Sequence, residues 1–334
     1  MLDARARPLR DVRISVTDRC NFRCVYCMPK EIFGRDFAFV ERDQLLTFEE
    51  IARMVRILAP LGVEKVRLTG GEPLLRRDLP RLIEQIASIE GITDIALTTN
   101  GSLLTREQAA ALAGAGLRRV TISLDSLDDE TFRRMNDVNV PVDRVLSAID
   151  AAAAAGLAPV KLDMVVVRGL NEASVADVAG RFRGTGHIVR FIEYMDVGNT
   201  NGWRTQDVVG GEEIVRMIAA RWPVEPAEPN YFGEVASRWR YADGAGEFGV
   251  ITSVTQPFCG SCTRIRISAS GEIYTCLFSG TGHDLRSLLR SSATDAAIES
   301  VIASIWRRRD DRYSEIRSEA TAALPKVEMS HIGG

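Results

Sequence analysis

The strongest constraint on this chain is a repeated exchange of short β-branched runs for longer amphipathic stretches over its first two-thirds. Val12–Thr17, Glu64–Thr69, Thr93–Thr98, Val120–Asp125, Val160–Val167 and Ile188–Ile192 read as strands. Thr47–Pro60, Asp78–Ile89, Thr105–Ala115, Asp143–Ala155, Ala173–Phe182 and Gly211–Ala220 carry apolar residues at helical spacing, several behind a Thr or Asp suited to an N-cap. Consecutive βα units need a parallel sheet, since each helix carries the chain back to start the next strand in the same direction. The fold expected is α/β, a partial (βα)6 TIM-like barrel.

Side chains two apart on a strand share a face. One parity is apolar throughout, as in Val12, Ile14, Val66, Leu68, Ile95, Leu97, Val120, Ile122, Val189 and Phe191. The other carries Arg13, Ser15, Lys65, Arg67, Thr69, Thr98, Thr121, Ser123, Asp125, Lys161, Asp163 and Arg190. Closed eight-stranded barrels fill the inner face with branched apolar residues, so a lumen of Arg, Lys, Ser and Thr predicts an open barrel around a charged ligand. The alternative is a sheet with one solvated face, an arrangement that parallel sheets rarely adopt.

At 334 residues, 46% hydrophobic and 26% charged, the composition is globular and the length predicts about two domains. The Pro- and Gly-containing segment Arg221–Gly246 reads as the boundary, placing one domain at 4–220 and a smaller C-terminal one at 221–334. In the second, Phe248–Val254 and Thr263–Ser268 read as strands and Leu285–Leu289 and Ala296–Arg307 as helices. The net charge is −3, which gives no sign of a nucleic-acid or membrane binder. With no long apolar run and no apolar leader after Met1, a soluble cytoplasmic protein is expected.

The six cysteines form two triplets, Cys20, Cys24, Cys27 and Cys259, Cys262, Cys276. Clusters of this kind in a chain of this size point to metal or redox ligands sooner than to disulfides. Neither triplet has a fourth cysteine or a histidine nearby, the histidines being His187, His283 and His331. Structural zinc takes four protein ligands, whereas a four-iron cluster on three thiolates keeps one iron open. A zinc loop completed from elsewhere in the chain remains the alternative for each. Between Cys262 and Cys276, strand periodicity puts Arg264 and Arg266 on one face, a pairing suited to phosphate oxygens or the edge of a base.

The spacing C-x3-C-x2-C with Tyr26 before its last cysteine, followed by Gly70-Gly71-Glu72-Pro73 after the second strand, resembles the radical S-adenosylmethionine superfamily. The second triplet, the arginine pair, the stretches Ser15–Gly34 and Arg190–Asn199 and the final Ile332-Gly333-Gly334 resemble more narrowly the GTP 3′,8-cyclases of molybdenum cofactor biosynthesis. That resemblance runs from about Arg10 to Gly334. It implies two 4Fe-4S clusters, one on each triplet, and S-adenosylmethionine bound at the first by Tyr26, Gly71, Ser123 and Met195. It implies GTP bound by Arg13, Arg67, Thr98, Lys161, Arg264 and Arg266, with Arg190 a further candidate from its inward parity. Gly333 and Gly334 would enter the active site and contribute to catalysis.

By the same resemblance, a radical derived from S-adenosylmethionine takes the ribose 3′ hydrogen of GTP, and the ribose carbon then bonds to C8 of guanine. An external one-electron reductant, the cyclic pyranopterin monophosphate synthase that follows in the pathway, and a homodimeric assembly are the expected partners. Two other readings keep some of these residues: a radical enzyme acting on a peptide, which a cationic lumen disfavours, and a zinc-stabilised binding module without catalysis.

Overall fold

The computed structural model describes residues 1–322 and 324–333. The first half runs β1 (Asp11–Ser15), α1 (Phe48–Leu58), β2 (Lys65–Thr69), α2 (Leu79–Ala87), β3 (Asp94–Thr99), α3 (Arg106–Gly114), β4 (Arg119–Ser123), α4 (Asp129–Asn136) and α5 (Val142–Ala154). It continues through β5 (Lys161–Val166), α6 (Val175–Phe182), β6 (Ile188–Glu193) and α7 (Gly211–Ala219). Then come β7 (Val224–Ala227), β8 (Ser237–Tyr241), β9 (Glu247–Ile251), β10 (Arg264–Ile267), β11 (Glu272–Tyr274) and β12 (His283–Asp284), followed by α8 (Arg286–Leu289), α9 (Asp295–Arg307), α10 (Glu319–Ala322) and α11 (Met329–Ile332).

Strands β1 to β6 pair in sequence order, all parallel. Strands β1 and β6 do not meet: β10 continues the sheet beside β1 and β9 beside β6, both parallel. The partial barrel is therefore open, with β11 and β12 closing one edge antiparallel and β8 and β7 the other. The residues after Arg221 thus wrap both edges of the barrel sheet. The Arg221–Gly246 segment, read from its Pro and Gly content as a boundary, carries the β7/β8 hairpin at one edge of the sheet. Pro226 is tolerated because β7 is the outermost strand, where a missing N–H costs no ladder bond.

The two strand parities separate as expected. Val12, Val66, Leu97, Val120, Leu162 and Phe191 are fully buried under the helices. Two of the barrel helices, α1 and α3, begin on a capping box. In α1, Thr47 accepts from Glu50 N while the Glu50 carboxylate accepts from Thr47 N, satisfying two otherwise orphaned donors. Thr105 and Gln108 do the same for α3.

Candidate active site

All six cysteines line one cavity of about 310 Å³ inside the open barrel, and none is in a disulfide. The first triplet lies on the loop leaving β1, and the second beside the start of β10, the strand next to β1. Seven cationic side chains reach the same cavity from the strands: Arg13, Lys65, Arg67, Lys161, Arg190, Arg264 and Arg266.

The register explains their concentration. Arg266 is opposite Arg13, and Arg13 is opposite Arg67, so three guanidiniums stand in one row across β10, β1 and β2. Burial, then Arg266, Arg264 and Arg67, holds Arg13 well below the usual arginine range, and its buried Nε has no partner. Burial and then Arg264 bring Arg266 down to about 10. Lys65 and Lys161 are both lowered to about 8, chiefly by burial. Arg67 Nη1 donates to Thr98 Oγ1 at 3.0 Å and to Thr121 Oγ1 at 3.1 Å. Arg190 differs from the others, because Asp163 already engages it in a two-bond fork at 2.7 and 2.9 Å.

Around the first triplet, the Gly-Gly-Glu-Pro segment packs against the chain that leads into Cys20. Gly71 N donates to Thr17 O and Glu72 N to Arg19 O, each at 2.8 Å. A Cβ on Gly70 would collide with the Thr17 carbonyl and one on Gly71 with that of Arg19. The glycines are therefore required by this backbone approach. Glu72 is wholly buried; its carboxylate accepts from Thr99 Oγ1 and Asn100 N, each at 2.7 Å, and burial raises it to about 7. Asn100 Nδ2 donates to Asn21 Oδ1 at 2.9 Å and faces Cys20 Sγ at 3.8 Å. The motif's glutamate thereby braces the cysteine loop.

Tyr26 donates its hydroxyl to Asp125 Oδ2 at 2.8 Å, and burial pushes Asp125 up to about 7. Ser123, Gly71 and Tyr26 all line the cavity. Met195 does so as well, from the irregular chain after β6, where Asn201 Nδ2 donates to its carbonyl at 2.9 Å. Burial raises the Cys20 thiol to about 12 and holds Cys24 and Cys27 well above the ordinary range, so these three need a metal to deprotonate. At the second triplet, burial alone would raise Cys262, but Arg264 and Arg309 overcome it and bring the thiol down to about 6. Their Nη2 atoms lie 3.3 and 3.1 Å from its sulfur. Burial lifts Cys276 to about 11.

Among the described residues, no three His, Cys, Asp or Glu groups stand close enough to hold a single metal ion. A four-iron cluster is wider than one ion and accepts a looser set of thiols, which the free, cavity-facing cysteines of both triplets fit.

Met329 and Ser330 of α11 line the cavity near the end of the chain. Gly333 is buried with φ +74, and its carbonyl accepts from Arg266 Nη1. Gly334 lies outside the described residues. Lys65, Asp125 and Glu72 were visible in the sequence on the inward parity or in the motif, but nothing there distinguished them as site residues. Arg309 reaches Cys262 from irregular chain after α9 and carries no local signal.

Residues 14–182 match the Radical SAM superfamily, and residues 187–315 match Molybdenum Cofactor Synthesis C. A GTP 3′,8-cyclase of Acidothermus cellulolyticus is 56% identical, with 99% of this chain and 98% of that protein aligned. Those of Xanthomonas axonopodis pv. citri (50%; 100% and 99% covered) and Staphylococcus saprophyticus (48%; 99% and 98% covered) are similar over the same extent. Among solved structures, Streptococcus suis SuiB bound to the precursor peptide SuiA superposes with a TM-score of 0.62 at 16% identity, covering 93% of this chain and 67% of that one. AdoMet-bound anSMEcpe gives 0.50 at 17%, covering 64% and 60%. These two likenesses are of fold. With nearly full-length identity to several cyclases and both halves matched, the chain belongs to the GTP 3′,8-cyclase family, radical S-adenosylmethionine enzymes of the first step in molybdenum cofactor biosynthesis.

Proposed function

We propose that this cavity converts GTP to (8S)-3′,8-cyclo-7,8-dihydroguanosine 5′-triphosphate with the nucleotide lying between two 4Fe-4S clusters, one on each cysteine triplet. The observation that carries the reading is the Arg266, Arg13, Arg67 row with its unpartnered buried Nε. Adjacent buried guanidiniums repel one another and are costly to ionise, so such a row is suited to receive a polyanion. A triphosphate is one, and Lys161 and Lys65 extend the positive wall toward β5.

A reduced 4Fe-4S cluster held by Cys20, Cys24 and Cys27 would, with S-adenosylmethionine, supply the carbon-centred radical for loss of the ribose 3′ hydrogen; after that carbon joins C8 of guanine, one electron from the external reductant and one proton would complete the 7,8-dihydro product. The chain's own residues bind and orient. Tyr26, Gly71, Ser123 and Met195 hold S-adenosylmethionine over Cys20, Cys24 and Cys27. Arg13, Arg67 and Arg266, with Thr98 and Lys161, hold the triphosphate and sugar, and Arg264 meets the guanine end beside Cys259, Cys262 and Cys276. Arg190 contributes only if Asp163 releases part of its fork. Gly333, whose carbonyl accepts from Arg266, and Gly334 after it contribute to catalysis from the end of the tail. In functional terms 4–220 generates the oxidant and 221–334 presents the base.

Electrons come from an external one-electron reductant, and the product passes to the cyclic pyranopterin monophosphate synthase. The working assembly is a cytoplasmic homodimer, and among the described residues no helix is long and apolar enough to cross a membrane. Anaerobic incubation with GTP, S-adenosylmethionine and dithionite, with the product identified by mass, tests the whole reading. Metal analysis of the reconstituted chain should find about eight irons. Replacing Cys20, Cys24 or Cys27 by Ala should abolish S-adenosylmethionine cleavage, whereas replacing both Arg264 and Arg266 should leave cleavage and remove cyclisation. Equal loss of cleavage in both sets would refute the division of roles.

The likeness to a peptide-bound enzyme raises a peptide substrate as the second reading. It fails if GTP binds and suppresses uncoupled S-adenosylmethionine cleavage.

A further inference from the structure

The first ten residues precede both matched family spans, yet they reach the second triplet. They form a tight hairpin in which Leu2 bridges Pro8 and Ala6 adopts φ +58. Asp3 is its pivot: Oδ1 accepts from Arg5 N and Arg7 N, each at 2.9 Å, and Oδ2 accepts from Arg7 Nε at 2.7 Å. The same Oδ2 accepts from Arg309 Nη1 at 3.1 Å. The three side chains are essentially sealed from solvent, at 1% exposure or less.

Each guanidinium then grips the cysteine segments. Arg7 Nη1 donates to Cys259 O at 2.9 Å and to Asp311 O at 2.7 Å. Arg309 donates to Cys262 O at 2.9 Å, to Thr275 O beside Cys276 at 3.0 Å, and to Cys262 Sγ at 3.1 Å, with its guanidinium held over the Trp306 ring at 4.5 Å. Between them the two arginines hold all three stretches that carry the second triplet. Arg7 lines the cavity, and its buried Nη2 has no hydrogen-bond partner. Within this sealed trio one carboxylate faces two guanidiniums; the other carboxylate near Arg309, Asp311 with its Oδ2 3.5 Å from Arg309 Nε, is partly exposed and screened by water, so a net positive charge stays behind in the sealed part.

We propose that Arg7 and Arg309, yoked by Asp3, are positioning residues for the second cluster: they pre-assemble its three thiols, and their surplus charge with the free Arg7 Nη2 stabilises its reduced form. This rests on the reading that Cys259, Cys262 and Cys276 hold a 4Fe-4S cluster. Hydrogen bonds and positive charge near cluster sulfur favour the added electron, so taking one guanidinium away lowers the reduction potential. Three thiolates brought together without the clamp also bind iron less firmly, by about tenfold or more on the scale of outer-shell substitutions.

Anaerobically reconstituted wild type, Arg309→Gln, Arg309→Lys and Arg7→Lys are compared by iron and sulfide content, by EPR-monitored redox titration of both clusters, and by the rate at which a ferrous chelator strips each site. In Arg309→Gln the second cluster should titrate at a more negative potential and lose iron about tenfold faster, while the first keeps its wild-type content and potential. Arg309→Lys should restore most of the potential but not the retention, since the charge returns without the planar fork. Should Arg309→Gln load neither site, Arg7→Lys decides: it should release second-site iron faster, with the first site unchanged. Wild-type potential and retention at the second cluster in the variants that fold would overturn the clamp. A wild-type chain with only four irons would overturn the two-cluster reading, and the clamp with it.

Discussion

Cys262 and Asp125 show how far a few contacts move a side chain's chemistry. Cys262 is bracketed by Arg264 and Arg309, which bring its thiol down to about 6, whereas burial lifts Cys20 to about 12 and Cys276 to about 11. In the metal-free chain at pH 7, iodoacetamide should therefore label Cys262 before Cys20 and Cys276, with peptide mass spectrometry reading the order. Asp125 moves the opposite way for a carboxyl, up to about 7 through burial. The folded chain keeps that proton to near neutrality, and the unfolded chain releases it at about pH 4. The associated stability is therefore full below about pH 4 and lost as pH rises through about 7, by at most about 1.4 kcal/mol per pH unit. Asp125→Asn should flatten this dependence in urea midpoints of the metal-free protein between pH 5 and pH 8, because an amide still accepts from Val165 N and meets the Tyr26 hydroxyl without titrating. Glu72, raised to about 7 by burial, leaves a residual slope of the same sign.

At the scale of elements, the βα succession was readable because period-two and period-3.6 patterns are local. Helix α4 was missed although Asp128 caps it, accepting from Thr131 N at 2.8 Å, because eight residues with a polar majority carry little periodic signal. The β7/β8 hairpin was missed because its Pro and Gly content resembles a linker; only a place at the edge of a twelve-stranded sheet makes it strand. The Gly-Gly-Glu-Pro motif was found from its position after β2, but its pressing against Thr17–Arg19 was not. Gly71→Ala would drive a methyl into the Arg19 carbonyl, which cannot give way without moving the cysteine loop. A stability loss of about 1–3 kcal/mol is expected, with iron lost from the first site and kept at the second, read by thermal unfolding and EPR.

Across the whole molecule, the site exists because one sheet gathers strands from distant parts of the chain. Strand β10 beside β1 turns two arginines of the second triplet into neighbours of Arg13 and Arg67. The tail from Lys326 onward is stitched to the loop after β6: Lys326 N donates to Asn199 Oδ1 at 3.0 Å, and Glu328 accepts from Asn199 N at 3.0 Å and from Thr200 Oγ1 at 2.9 Å. These bonds deliver Gly333 to Arg266. A Cβ at position 333 would overlap Thr69 Oγ1 at a left-handed backbone angle. Gly333→Ala should thus displace the tail, seen as faster amide exchange over 327–333, and should impair cyclisation while S-adenosylmethionine cleavage continues. Unchanged exchange and full cyclisation would remove the tail from the mechanism.

The amino-acid order by itself determined the strand faces, the grouping of thiols and the positive lumen, since a strand's alternation and a loop's cysteine spacing are properties of adjacent residues. Tertiary structure alone decided that both triplets share one cavity, that Glu72 braces the Cys20 loop, that Arg7 and Arg309 meet at Asp3, and that the tail lies on Arg266. Contacts between residues some 300 positions apart, such as Asp3 with Arg309, leave no local period to read; they follow from which edges of the sheet are left open to pair and which buried charges require partners.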